Sequence, residues 1–286
     1  MNAQFWLIQA FNGISYGALL FLIGSGLSLI FGVMRIVNLA HGSYFLLGGY
    51  IALSVIGATG SWALSLPVAA AAVAVIGLLM ERVFLRPLGF DPLRQVLLTV
   101  GFAYLFQQAA LDIWGGNNMD INPPDALQQS VVVGGIYVPL YRLFMIAMAL
   151  AIGFGLWLVM EKTRLGAAVR ATVDDPQMAR GVGIDTNRIS MMIFALGAFL
   201  AALGGVIGGG FLGVYPGLDF EMLPLAFAVV IIGGMGSLGG AAIGALAVGL
   251  ADNFGKALFP EVSYFTLYAP MVLILAIKPT GLFGRD

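Results

Sequence analysis

Residues 228–239 read Ala228-Val-Val-Ile-Ile-Gly-Gly-Met-Gly-Ser-Leu-Gly239 (AVVIIGGMGSLG), and two readings of them lead to different folds. Gly234, Gly236 and Gly239 match G-x-G-x-x-G. Ala228–Ile232 looks like a buried strand, and Asp252 follows at about the distance of a ribose ligand. Such a dinucleotide site needs a soluble βαβ unit around the loop. The flanks argue against one: apolar runs 222–234 and 237–255 border the glycines, and strand and helix patterns do not alternate along the chain. The other reading is a glycine-rich break between apolar helical segments. At membrane depth such backbone is tolerated only against protein or a water-filled cavity. Gly234, Gly236 and Ser237 are therefore candidate translocation-path residues, with close helix packing as the alternative.

Composition favours the membrane. The chain has 286 residues, 60% hydrophobic and 9% charged, with mean hydropathy +0.98. Soluble domains carry about 25% charged residues. Glycine supplies 40 positions, about twice ordinary usage, as expected where small residues let membrane helices approach. The net charge of −1 gives no basic face for nucleic acid. The absence of cysteine excludes disulfides, thiolate metal sites and Cys nucleophiles. No G-x-x-x-x-G-K-[ST] occurs, so an ATP motor would have to be another polypeptide. The start, Met1-Asn-Ala-Gln-Phe-Trp, has no basic stretch, so the first apolar run is expected to remain as a span.

Runs of spanning length fall near 5–33, 36–57, 62–80, 95–111, 137–160, 189–213, 237–255 and 262–277, with a shorter one at 222–234. The expected fold is an all-α polytopic membrane protein of eight or nine segments, forming one transmembrane domain over residues 1–286. Ten of the 13 basic residues lie in 81–94, 161–188 and the C-terminal tail with Lys278 and Arg285. The positive-inside rule makes that side cytoplasmic. Segment 112–136, with Asp112, Asp120 and Asp125 and no basic residue, reads as an outer loop, and Asp219 and Glu221 as part of an outer turn. The N-terminus is then outside and the C-terminus inside, which needs an odd number of crossings. Nine satisfies this if 222–234 crosses; eight makes one segment re-entrant. Arg35, Asp112 and Asp252 are the charges nearest the membrane interior, each at an expected segment end.

A second glycine-containing stretch, Val37-Asn-Leu-Ala-His-Gly-Ser-Tyr-Phe-Leu-Leu-Gly-Gly-Tyr50, holds the one histidine. One His makes no His-rich metal site, and no carboxylate is close to it in sequence. A helix over 36–50 would put Asn38 and His41 on one face. Asn38, His41 and Ser43 are candidates to line the path or hold a helix break; a purely structural histidine is the alternative. Loop 161–188 is nearly charge-balanced. Asp174-Asp-Pro-Gln-Met-Ala-Arg-Gly-Val-Gly183 reads as a short helix with an acidic N-cap and Pro176 at its first position, ended by Gly181 and Gly183. It is either a solvated connector or a lever docking on a partner.

Met34-Arg-Ile-Val-Asn-Leu-Ala-His-Gly, Arg164-Leu-Gly-Ala-Ala-Val-Arg-Ala with Asp174 through Gly183-Ile-Asp-Thr, and Gly233-Gly-Met-Gly-Ser-Leu-Gly-Gly-Ala-Ala-Ile-Gly occur in that order. Together they resemble the LivH-type permease subunits of bacterial branched-chain amino acid ABC importers. The resemblance covers nearly the whole chain. It implies an inner-membrane location, a periplasmic solute-binding protein, a second permease subunit (LivM-type or a second copy) and two cytoplasmic ABC ATPases that hydrolyse ATP. It also implies ATPase coupling through loop 161–188, with Arg170, Asp174, Asp175, Met178, Arg180 and Gly183 as the residues concerned. No catalytic, metal or cofactor site is implied. Relatives carrying urea, short amides or aromatic carboxylates keep the solute open. An ion-coupled secondary transporter, the other class, would need intramembrane carboxylate or histidine relays that the sequence does not display.

Overall fold

The computed structural model describes residues 3–89, 91–133 and 136–284. Arg285, counted above with the cytoplasmic-side cations, and Met1 and Asn2 of the start lie outside the described residues. Helix α1 (Ala3–Met34) is followed by α2 (His41–Thr59), α3 (Trp62–Met80), α4 (Pro92–Trp114) and the short α5 (Asp125–Gln128). After an antiparallel hairpin of β1 (Ser130–Val133) and β2 (Ile136–Pro139), with Ser130 opposite Pro139, come α6 (Leu140–Lys162), α7 (Arg164–Asp174), α8 (Pro176–Gly181), α9 (Thr186–Leu212), α10 (Leu218–Gly233), α11 (Leu238–Leu258) and α12 (Ser263–Ile277). Each apolar run of the sequence corresponds to one helix. Helix α2 starts at His41 rather than 36, and the 137–160 run opens as strand.

Local signals set the ends. Ser61 caps α3, accepting from the Leu64 amide at 3.3 Å. Asp91 caps α4, accepting from the Arg94 amide at 3.2 Å, with Pro92 at the first helical position. Helix α3 continues through a π turn at Glu81–Leu85 and a 3-10 turn at Arg86–Leu88. Among the described residues, seven helices are long and apolar enough to cross a membrane: α1, α2, α3 with its extension, α4, α6, α9 and α11. The eight or nine full segments expected are not all of that length. Helices α10 and α12 have 16 and 15 residues, about 24 Å or less at 1.5 Å per residue, against a hydrocarbon core of about 30 Å.

Helices α1 and α9 form the interior, while α4 and α6 turn apolar side chains such as Leu97, Leu105, Leu150 and Phe154 outward. Small residues make the interior dense. A Cβ on Gly26 would lie 2.6 Å from the Gly197 carbonyl of α9. One on Gly17 would lie 2.8 Å from the Ala245 carbonyl of α11. The glycine excess is thus largely helix–helix contact, the means by which packing without a hydrophobic drive holds membrane helices together.

Candidate translocation site

The chain turns at Arg35, whose φ of +55° makes it the one non-glycine residue in the left-handed region among the described residues. Residues 35–38 are not helical. The Asn38 side-chain oxygen accepts from the Ala40 amide at 3.1 Å, and the Leu39 amide donates to Thr99 Oγ1 of α4 at 3.2 Å. His41 then opens α2 and donates from Nε2 to the Ile23 carbonyl at 2.9 Å. Ile23 lies eleven residues before Met34 in α1, about 16 Å along the axis. The connection therefore climbs back along α1, and α2 starts within the depth of the helix bundle. Asn38 and His41 do not share a helical face as a helix over 36–50 would require: Asn38 precedes the helix and its side chain holds the turn.

Helix α10 begins beside it. Ser43, the third residue of α2, donates to Asp219 Oδ2 at 3.0 Å, and Gly42 is packed against the Asp219 carbonyl. Asp219 is 2% exposed, not a solvated member of an outer turn. It lies in the first turn of α10, and its partner Ser43 lies in the first turn of α2. Two positive helix ends thus face one buried carboxyl group, whose Oδ1 has no hydrogen-bond partner among the described residues. Asn38, His41 and Ser43 are buried as well. Asn38 Nδ2, His41 Nδ1 and the Tyr50 hydroxyl have no hydrogen-bond partner among the described residues. Buried polar groups are normally satisfied, so the cluster keeps capacity to bond a polar group entering from outside it. In the turn before α10, the Tyr215 hydroxyl donates to Glu221 at 2.9 Å. Burial, then that carboxylate, pushes its phenol up to about 12, so it remains a neutral donor near pH 7.

The 228–239 stretch is helix followed by a tight turn, not strand and phosphate loop. Gly234 and Gly236 have φ of +100° and +81°, open to glycine without a steric penalty. Ser237 caps α11, accepting from the Gly240 amide at 3.0 Å, and its carbonyl accepts from Ser28 Oγ at 3.4 Å. The C-terminal tail closes the other side: the amides of Leu282 and Phe283 donate to the Ile232 and Gly233 carbonyls, each at 3.0 Å. The helix end is thus satisfied by backbone from 50 residues downstream.

Loop 161–188 contains two helices where the sequence suggested one. Asp175 caps α8, accepting from the Gln177 and Met178 amides at 2.9 Å each. Gly183, with φ +88°, ends the motif as its sequence indicates. Arg180 Nε donates to Thr186 Oγ1 at 2.7 Å, tying α8 to α9. Arg170 bonds the Met160 carbonyl and lies 3.7 Å from Glu161, anchoring α7 on α6. Met178 and Val182 are 67% and 72% exposed and form the apolar tip. Val182 escaped the sequence reading although its i, i+4 spacing from Met178 was visible. Asp219 could not be found that way, because its partner is 176 residues distant.

The structure does not gather the candidate residues in one place. Gly236 and Ser237, with Arg170 and Asp174, border a cavity of about 1300 Å³ between α1, α6, α7 and α11. Asn38, His41 and Ser43 lie elsewhere, in the α2–α10 cluster. Of the sequence's interior charges, Asp252 pairs with Lys256 at 2.7 Å, Asp112 accepts from Gln108 at 2.9 Å, and Arg35 is exposed. Among the described residues no group of three metal-ligating side chains occurs.

The family described as "Branched-chain amino acid transport system / permease component" matches residues 9–275. The permease protein BraD of the high-affinity branched-chain amino acid transport system of Pseudomonas aeruginosa is 31% identical, over 98% of this chain and 96% of its own. The corresponding LivH of Escherichia coli is 32% identical, over 100% and 98%. A partial likeness, 30% identity over 55% of this chain and 44% of its own, extends to the autoinducer 2 import permease LsrC of Yersinia enterocolitica. With its three motifs in order and the match spanning nearly its whole length, this chain belongs to the family of branched-chain amino acid transport system permease components.

Proposed function

We propose that this chain is the multi-pass permease subunit of a binding-protein-dependent ABC importer for branched-chain amino acids, in the inner membrane of a bacterium. The observation that carries the reading is the full-length family match, to relatives named for that solute class. In this reading a periplasmic binding protein delivers the solute, a second permease subunit completes the path, and two ATPases bind from the cytoplasm and hydrolyse ATP. Loop 161–188 is the coupling element, supported by its two capped helices and by the exposed Met178–Val182 tip. Asp174, Asp175, Arg170, Arg180 and Gly183 shape and anchor that tip.

The path runs past the adjoining starts of α2 and α10, where Asn38 and His41 retain hydrogen-bonding capacity and Ser43 holds Asp219. The Gly234–Gly236–Ser237 turn is its inner end and the hinge on which α10 moves against α11. Nine crossings, with α10 and α12 included, put the N-terminus outside and the C-terminus in the cytoplasm. The test is uptake by the importer reconstituted in liposomes with its binding protein and ATPases. Leucine uptake that requires ATP and both partners is expected. Uptake of urea or an aromatic acid in its place would replace the solute. Ion-driven uptake by this chain alone would overturn the importer reading.

A further inference from the structure

The cavity between α1, α6, α7 and α11 lies on a different face of α1 from the α2–α10 cluster. Ile14, Gly17, Phe21 and Gly32 line it, recurring at helical spacing. Leu19, Ile23, Gly26 and Ile30 form another face and meet α9 and His41. The groove follows α1 from Ile14 to Arg35, about 30 Å at 1.5 Å per residue, the thickness of the hydrocarbon core. Its wall is apolar, with Phe21, Leu29, Leu150 and Phe154, the last two 69% and 60% exposed. Polarity is confined to one end, where Arg35, Arg170, Glu161 and Asp174 meet. Arg170 is engaged by Glu161 and the Met160 carbonyl, and Asp174 also has a partner. Arg35 is exposed and without a partner among the described residues, on left-handed backbone that carries it past the end of α1.

A groove that is apolar along its length and charged at one end matches an amphiphile. A free amino acid would fill a small part of 1300 Å³, and it would need polar partners along its route. We propose that the groove holds a phospholipid of the leaflet nearest Arg35, with its phosphate on the Arg35 guanidinium and one acyl chain between α1 and α6. The four charges that the described residues place at the mouth balance. This favours a zwitterionic phosphatidylethanolamine, whose ammonium can face Glu161, over an anionic phosphatidylglycerol. The site meets the proposed solute path only at the Gly236–Ser237 turn, which borders the charged end of the groove, and it does not depend on which solute is carried.

The assembled importer in nanodiscs of mixed phosphatidylethanolamine and phosphatidylglycerol, doped with an acyl-diazirine phosphatidylethanolamine, tests the proposal. Mass spectrometry of the unaltered protein should place adducts on the groove wall at Phe21, Leu150 or Phe154. Arg35→Gly removes the cation and tolerates the positive φ, and it should lower those adducts about fivefold, as expected for one basic contact to a headgroup. Gly153→Leu, whose side chain presses on the Phe21 ring, should lower them without touching the charge. Three results would each overturn the proposal: adducts spread evenly over the outer faces of the helices in the unaltered protein, displacement of the labelled lipid by excess leucine, or a cross-link from Leu150→Cys to the second permease subunit.

Discussion

His41 shows how a single residue can be misread from type alone. Chemistry offers a base or a ligand; the structure gives a donor to the Ile23 carbonyl at 2.9 Å, inside packed helices. What it secures is the depth at which α2 starts. A glutamine amide can make the same bond, so His41→Gln should keep thermal stability in detergent close to that of the parent. Its uptake should also show the parent's pH profile across neutrality. His41→Leu should lose about 1 kcal/mol, the usual net worth of one hydrogen bond; an altered pH profile in His41→Gln would instead make the imidazole a proton carrier. The Ser43–Asp219 bond is worth more because its acceptor is a buried carboxylate. Ser43→Ala should cost about 1.5–3 kcal/mol. In Asp219→Asn the same serine change should cost much less, a coupling read directly from a double-mutant cycle. Neither contact was visible in sequence: the partners lie 18 and 176 positions apart, and no local pattern encodes such distances.

Within loop 161–188, stretch 174–183 is the counterexample, since it was legible almost residue by residue. Acidic N-cap, proline at the first position and terminal glycine are short-range devices, and Asp175, Pro176 and Gly183 occupy those places in space. Helix α7 was missed although Thr163 caps it, accepting from the Gly166 amide at 3.2 Å; its docking on α6, where Gly166 and Arg170 meet Met160, is the part no local pattern encodes. The Gly234–Gly236 turn was legible as a break, while the tail backbone that satisfies it was not. At this scale the test separates the fold of the loop from its docking. Asp175→Ala removes an acceptor for two amides and should cost about 1 kcal/mol locally, leaving overall unfolding nearly unchanged. Met178→Ser with Val182→Ser removes two largely exposed apolar side chains. If they insert into an ATPase, their loss should weaken co-purification of that subunit by tenfold or more, given about 1.5 kcal/mol or more for each side chain buried. Unchanged co-purification would assign the loop a connector role.

Across the whole molecule the sequence conveys class more readily than topology. Hydropathy and charge identify a membrane protein because every spanning helix must be apolar for its length. Counting crossings is harder, because α10 and α12 are shorter than the hydrocarbon core and α2 begins partway along α1. Length and depth are set by packing against α1 and α11, which no window of sequence contains. The proposed orientation rests on charge: nine crossings put the cations of 81–94, of 161–188 and at Lys278 on one side and leave two exceptions, Lys256, which pairs with Asp252, and Arg142 at the start of α6. There its guanidinium bonds Asn12 and lies 5.0 Å from the Phe211 ring centroid, so packing rather than a cytoplasmic location accounts for it. The absence of native cysteine makes the orientation directly measurable. Single cysteines at Asp125, Gln177 and Lys278, all exposed, should divide by side. In right-side-out vesicles an impermeant maleimide should label Asp125→Cys at once, and Gln177→Cys and Lys278→Cys only after permeabilisation. Nine crossings put Gln177 and Lys278 together. Labelling of Lys278→Cys from outside, with Gln177→Cys protected, would mean an even number of crossings, with α10 or α12 failing to cross, and would overturn the cytoplasmic C-terminus.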